Sequence, residues 1–366
     1  MTHESLLNAD WGRIVESLGG RRFLETSARD SKAFQRAREV RCAVDLLRLI
    51  LAYCLGERGL RSTAVWAAAV GLVDISNVAI LKRLRKSSEW LTLLVGHALA
   101  SAAPKATRGR LIRIIDATTV PKVGPEARKN NQLWRIHSAF HLPAERFGFF
   151  ELTDEKGGER LDRIPVIAGE IRILDRAYLQ PDRMRPVLDG GGDFVIRAGW
   201  KGARWLDSDG QPVDIIAEFR RSTEIGKIDR PIFVACKQGK PLAVRLIAIK
   251  KSPEAAAEAR RKARREAQRG GHTLSQATLE AADWVIIVTS LGSEQFSTDH
   301  MLALYRLRWR VELSFKRLKS LVGLKGPPGT DERSARAWLL AHLLAILLLE
   351  PVVDEFEDSP RTALAA

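Results

Sequence analysis

The chain changes its hydrophobic rhythm near Arg110. Before that point apolar residues recur three and four apart, the spacing of helices with one buried side. Val40–Leu55 is an apolar stretch closed by Gly56-Glu57-Arg58-Gly59. Ser62 is placed to cap a second helix, TAVWAAAV, that stops near Gly71, and Ser76 to cap a third, NVAILKRLRK. Residues 1–105 are expected to form a helical N-terminal domain that binds DNA. The basic third helix, with Lys82, Arg83, Arg85 and Lys86, fits either a helix-turn-helix or a plain bundle with a solvated basic side.

Beyond Arg110 the pattern is that of strands. LIRIID (111–116) is an apolar run ending on an acid; Ile136–Leu142 and Phe147–Thr153 follow, joined by a turn at Pro143-Ala144-Glu145-Arg146. IRILD (171–175) again ends on an acid, Pro181–Leu188 predicts a helix and DFVIRAG (193–199) a strand. Strands followed by alternating helix and strand predict an α/β fold over 106–204. A mainly β insertion is expected over 205–292, with VDIIAEF, PIFVACK, LAVRLIAI and DWVIIVTS as strands. It also carries a basic helix, PEAAAEARRKARREAQR, which is either a rail for DNA or a solvated helix with internal ion pairs. The remainder, 293–350, predicts one long helix from about Thr298 to Leu321 capped by Ser297, a Gly-Pro-rich break and an apolar helix, before a tail over 351–366.

Composition narrows the partners. Against 44 Asp and Glu stand 59 Lys and Arg, a net charge of +15 over 366 residues. Such a surface favours a polyanion, because each cation beside a phosphate releases counterions. Three scattered cysteines (Cys42, Cys54, Cys236) make neither a disulfide framework nor a zinc cluster, which suits a reducing, cytoplasmic setting. The polar N-terminus is no secretory signal. The longest apolar run, Ala337–Leu349, is too short to span a bilayer, so no membrane partner is expected. That run is expected in the core or at a subunit interface. His137 and His141 share one side of a strand, but a zinc site lacks a third soft ligand.

Three acids stand out. Asp116 and Asp175 end apolar strands, where a rigid element meets solvent, and Glu312 lies on the long helix. Each taken singly could be a turn or capping residue. Together they form a hard oxygen set for Mg²⁺ or Mn²⁺, and two such ions suit phosphoryl transfer. At about 100° per residue, Arg308, Glu312 and Lys319 fall within about 60° of Tyr305, beside the apolar side of the helix. Glu312 is the one acid among seven basic residues between 305 and 325. That is odd for solubility and reasonable for a metal-binding acid whose neighbours hold DNA phosphates.

The spacing Tyr305-x2-Arg308-x3-Glu312-x6-Lys319 resembles, at every interval, the Y-(2)-R-(3)-E-(6)-K signature of the IS-four family of DDE transposases. DATTV around Asp116 and LDRAYL around Asp175 resemble the family's two Asp segments, with Ala177 in place of the usual Gly. The resemblance implies an RNase H-like catalytic core with a mainly β insertion before the last catalytic helix. It implies that Asp116, Asp175 and Glu312 are catalytic and bind two Mg²⁺, for which Mn²⁺ can substitute. It also implies that Tyr305, Arg308 and Lys319 contact DNA near the cut end. Trp284 resembles the residue on which some members stack a flipped base; filling the core at a strand end is the other reading. The implied partners are terminal inverted repeats and target DNA, engaged by a homodimer. Two rivals stay open: an RNase H-like nuclease that cuts without joining, and a catalytically silent DNA-binding relative.

Overall fold

The computed structural model describes residues 11–101, 109–142, 144–324 and 326–357. Six helices come first: α1 (Trp11–Ser17), α2 (Gly20–Asp30), α3 (Ala43–Leu55), α4 (Leu60–Ala69), α5 (Asn77–Lys86) and α6 (Ser88–Ser101). Ser76 caps α5 as its position predicts, accepting the Ala79 N–H at 3.2 Å. Ser62 caps nothing, because α4 begins two residues earlier, behind Gly59.

One sheet of nine strands follows. Its strands are β1 (Ile112–Pro121), β2 (Leu133–Leu142), β3 (Arg146–Asp154), β4 (Ile171–Leu174), β5 (Asp193–Ala198), β6 (Trp205–Leu206), β7 (Lys227–Val234), β8 (Leu242–Lys250) and β9 (Trp284–Thr289). Their order is β3-β2-β1-β4-β5-β9-β8-β7-β6. β1, β4 and β5 run parallel, and the other pairings are antiparallel. All four residues of β4 are buried, as a central strand covered on both sides requires. The helices between and after the strands are α7 (Pro125–Lys129), α8 (Pro181–Asp189), α9 (Ile215–Arg221), α10 (Pro253–Arg269), α11 (Gln276–Ala282), α12 (Thr298–Arg306), α13 (Trp309–Leu321) and α14 (Glu332–Glu357).

Alternation along the strands sorts the core. Ile114 and Ile173 face a cluster shared with α1–α6, with Val311 and Phe315 of α13, and with α14. Ile115 and Leu174 face the opposite cluster, with Met184 of α8, Phe219 of α9 and Ala281 of α11. α14 is the shaft of the first cluster. Leu339, Ala341, Leu344 and Ala345 are fully buried, and the helix packs on α3, α5 and α6. The apolar run therefore fills the core, and none of the described helices is long and apolar enough to cross a membrane.

Five expectations need correction. Asp116 does not end its strand: β1 runs on to Pro121 and pairs Asp116 with Ser138 of β2. VDIIAEF is helical, not extended: Asp214 accepts the Ile216 and Ala217 N–H groups and starts α9, so the cap outweighs the β-branched pair. The 205–292 segment mixes strands with three helices rather than being mainly β, and β9 pairs with β5, so its strands prolong the first sheet. The long helix is broken into α12 and α13 at Leu307–Arg308. The expected tail continues α14 to Glu357, and residues 358–366 lie outside the described part.

Candidate active site

Strand register brings the two aspartates together. Ile114 of β1 pairs with Ile173 of β4 in parallel, and Asp116 and Asp175 each lie two residues further on. Equal offsets along neighbouring parallel strands put the two side chains on one side of the sheet, one strand spacing apart, about 4.8 Å. It is the side that carries α13. Asp175 also starts a short 3-10 turn, its Oδ1 accepting the Ala177 N–H at 2.7 Å. Asp116 Oδ1 accepts the Ala117 N–H at 2.9 Å.

Glu312 reaches this pair only through Arg308. The Arg308 guanidinium lies 4.0 Å from Asp116 Oδ2 and 3.8 Å from Asp175 Oδ2, and it pairs directly with Glu312 Oε1. The Glu312 side chain is 61% exposed, against 17% for Arg308. The helix break is the cause. Leu307, Arg308, Arg310 and Val311 each donate backwards to the residue three before, at 3.0–3.3 Å. Such 3-10 bonding turns the chain by about 20° more per residue than an α-helix. Over four residues, Glu312 swings well away from the bearing a single helix would give it, while Val311 and Phe315 stay buried.

Burial dominates the electrostatics. Asp116 is pushed up to about 6, first by burial and then by the neighbouring Asp175 and Glu159 carboxylates; Arg308 and the Ala117 N–H pull the other way. Burial also raises Glu159, which feels Asp175 and lies 3.9 Å from Arg135 Nε. Tyr305 is half-buried; burial raises its phenol, and Arg308 and a hydrogen bond to Arg197 oppose that shift. Among the described residues no three acids or histidines converge closely enough to hold an ion. The donor set nonetheless fits a hard divalent cation. Three carboxylates already surround one cationic group, the Arg308 guanidinium, whose Nε is buried with no acceptor.

A cleft of about 1020 Å³ opens beside these acids, between α10 and the sheet. Asp175, Tyr305, Arg308 and Glu312 line it together with Trp309 and Lys262. Trp284 also borders the cleft, but its ring is only 5% exposed and stacks on Phe219 at 4.8 Å, within the second core cluster. Lys319 lies on α13, and its side chain is outside the described residues. Lys82, Arg83, Arg85 and Lys86 lie on α5, and none of them lines this cleft. Lys82 and Lys86 are exposed, whereas Arg83 pairs with Glu39 at 3.6 Å and Arg85 with Asp331 at 3.3 Å. His137 and His141 hold separate partners, Thr153 Oγ1 and Arg113 Nε, and burial pushes both down to about 4.

Two residues at the site escaped the sequence reading. Glu159 sits in the loop after β3, where no motif marks it. Trp309 is 54% exposed beside Glu312, and the helical count that grouped Tyr305 with Glu312 puts it only about 40° from Tyr305.

Comparison with known proteins bears on this arrangement. A family described as "Transposase DDE domain" matches residues 107–348. The chain is 36% identical over 359 residues to the putative transposase InsL of insertion sequence element IS186A from Escherichia coli (strain K12), covering 96% of each. It is likewise 36% identical over 360 residues to the transposase for insertion sequence element IS421 from Escherichia coli, again covering 96% of each.

Proposed function

Since the chain belongs to the family of transposases with a DDE domain, we propose that it cuts and pastes an insertion sequence at the site built from Asp116, Asp175 and Glu312. It is an insertion-sequence transposase, an enzyme of DNA cleavage and strand transfer. The observation that carries the site assignment is the convergence of the three family acids on one cationic group. The strand order β3-β2-β1-β4-β5, with β1, β4 and β5 parallel, supports an RNase H-like core, and the β6–β9 segment then stands as its insertion.

Asp116, Asp175 and Glu312 would hold the divalent ions, two Mg²⁺ on this reading. Bound there, such ions supply Lewis-acid activation of the attacking oxygen and charge stabilisation of the leaving one. The chain's own groups do the rest. Arg308, always charged, is positioned for a phosphate oxygen beside the cut, and Lys319 for the backbone further along. Tyr305, steadied by Arg197, offers a hydroxyl to the same backbone. Trp309 presents a bare indole on which a base can stack, a contact worth about 1–3 kcal/mol. Lys82 and Lys86 extend the basic surface to the terminal inverted repeats. Two ends must be cut together, so a homodimer is the working unit, acting on chromosomal DNA in the cytoplasm.

The test uses duplexes carrying the DNA that flanks the coding region. Asp116→Asn, Asp175→Asn and Glu312→Gln should each abolish cleavage and joining while end binding stays within about threefold of wild type. Cleavage by the Glu312→Gln protein would remove Glu312 from the site. Cleavage without a joined product would leave a nuclease.

A further inference from the structure

The Arg308 guanidinium stands where a cation bound by the three acids would stand. It approaches Asp116 and Asp175 within 4.0 Å and pairs with Glu312, from the point where the signature helix is broken. Two features make this a held arrangement rather than a passing contact. The guanidinium is largely buried, with Nε deprived of any acceptor, so it has left water for these carboxylates. The i→i−3 bonds from Leu307 to Val311 also turn Glu312 outward, so that it meets Arg308 instead of the aspartates. Relaxing those bonds to i→i−4 would turn Glu312 back by tens of degrees.

We propose that Arg308 is a resident counter-cation that keeps the free enzyme closed to metal, so that a divalent ion enters only as Arg308 withdraws and Glu312 turns inward. This rests on the active-site reading above and adds its regulation. The same guanidinium serves in turn as partner of the acids and, once displaced, as a ligand for substrate phosphate. Metal loading and DNA engagement are then linked, because anything that draws Arg308 away raises metal affinity, and metal in turn frees Arg308.

The experiment is a Mn²⁺ titration of the DNA-free full-length protein, reading free Mn²⁺ by its paramagnetic resonance signal. It compares wild type, Arg308→Gln, Arg308→Lys and Asp116→Asn. Removing one positive charge a few ångströms from an incoming divalent ion should tighten binding by about tenfold or more even at water-like permittivity. Arg308→Gln is therefore expected to bind Mn²⁺ at least about tenfold more tightly than wild type. Arg308→Lys keeps the charge and should stay near wild type, and Asp116→Asn should lose the site. Thermal melting in chelator is the second readout. Arg308→Gln should melt below wild type, its acids lacking a counter-charge, and should gain more from added Mn²⁺. Equal affinity in wild type and Arg308→Gln, at a site that Asp116→Asn abolishes, would overturn the counter-cation role and leave the metal site standing. Binding that ignores Asp116 in every variant would bring down the site assignment itself.

Discussion

Replacing Asp116 by Asn should stabilise the metal-free protein at neutral pH. Burial holds the Asp116 carboxyl at about 6, against an ordinary value of 3.8. The shift of about two units makes ionisation in the folded state cost roughly 3 kcal/mol at 1.36 kcal/mol per unit. The sign follows from the raised folded value. Stability from this group is fully present below about pH 4, is lost as pH rises through about 6, and stays lost above it. Asn mimics the protonated form and escapes the loss. With 366 residues and an unfolding entropy near 2.1 cal/mol/K per residue, about 3 kcal/mol corresponds to about 4 °C. The assay is thermal melting in chelator from pH 4.5 to 8. The advantage of Asp116→Asn should be small at the acid end, grow through pH 6 and level off by pH 7.5. Added Mg²⁺ should then raise wild type and leave the variant unmoved. If Asp116→Asn melts at or below wild type at pH 7.5 in chelator, Arg308 fully repays the burial of Asp116 and the reasoning fails.

Two further outcomes are expected. Glu170 is fully buried between Arg113 (Nη1 at 2.7 Å) and Arg172 (Nε at 2.5 Å), so Glu170→Ala leaves two buried guanidiniums without their carboxylate. A loss of about 3–5 kcal/mol in urea unfolding should follow, and a loss below about 1 kcal/mol would show that the arginines find other partners. On α5, Lys82→Ala with Lys86→Ala should lower the slope of log affinity against log salt for mixed-sequence duplex DNA by about 2, whereas Arg83→Ala should leave it unchanged and cost stability instead. Equal slopes in the two proteins would remove α5 from the DNA surface.

Much of this was legible because strong local signals agree with the packing. The apolar runs before Asp116 and Asp175 are strands because β-branched residues fill β1 and β4, and the register of those strands sets the acids side by side, although only Asp175 follows a strand end and Asp116 lies within β1. The basic helix was legible to its last residue, since Ser252 caps it and Gly270 ends it. Three features were not legible. In VDIIAEF the alternation suggests a strand, yet a single capping carboxylate at Asp214 decides for a helix. The break at Leu307–Arg308 has no Pro or Gly to announce it. The contacts of Arg308 with Asp116 and Asp175 that accompany it are tertiary, and a helical wheel cannot contain them. Glu159 reaches the site from a loop, and loop residues carry no period.

The helical N-terminus reads as a detachable DNA-binding head only while the chain is viewed in one dimension. Leu46, Leu47 and Trp90 share one core with Val311 and Phe315 of α13 and with Leu339–Leu347 of α14. Without that shaft, α3, α5 and α6 would expose the surface they bury against it. Asp331 tightens the connection: it accepts the Ser334 N–H at the start of α14 while pairing with Arg85 of α5. α13 ends ten residues before Asp331, and Lys122, at the end of the strand that carries Asp116, pairs with the adjacent Glu332. A displacement of α5 would therefore be passed to the segments that carry Asp116 and Glu312. Packed cores shift between discrete arrangements rather than bending continuously, so the broken and the straightened forms of the 305–312 segment are the natural pair of states for such a push to choose between.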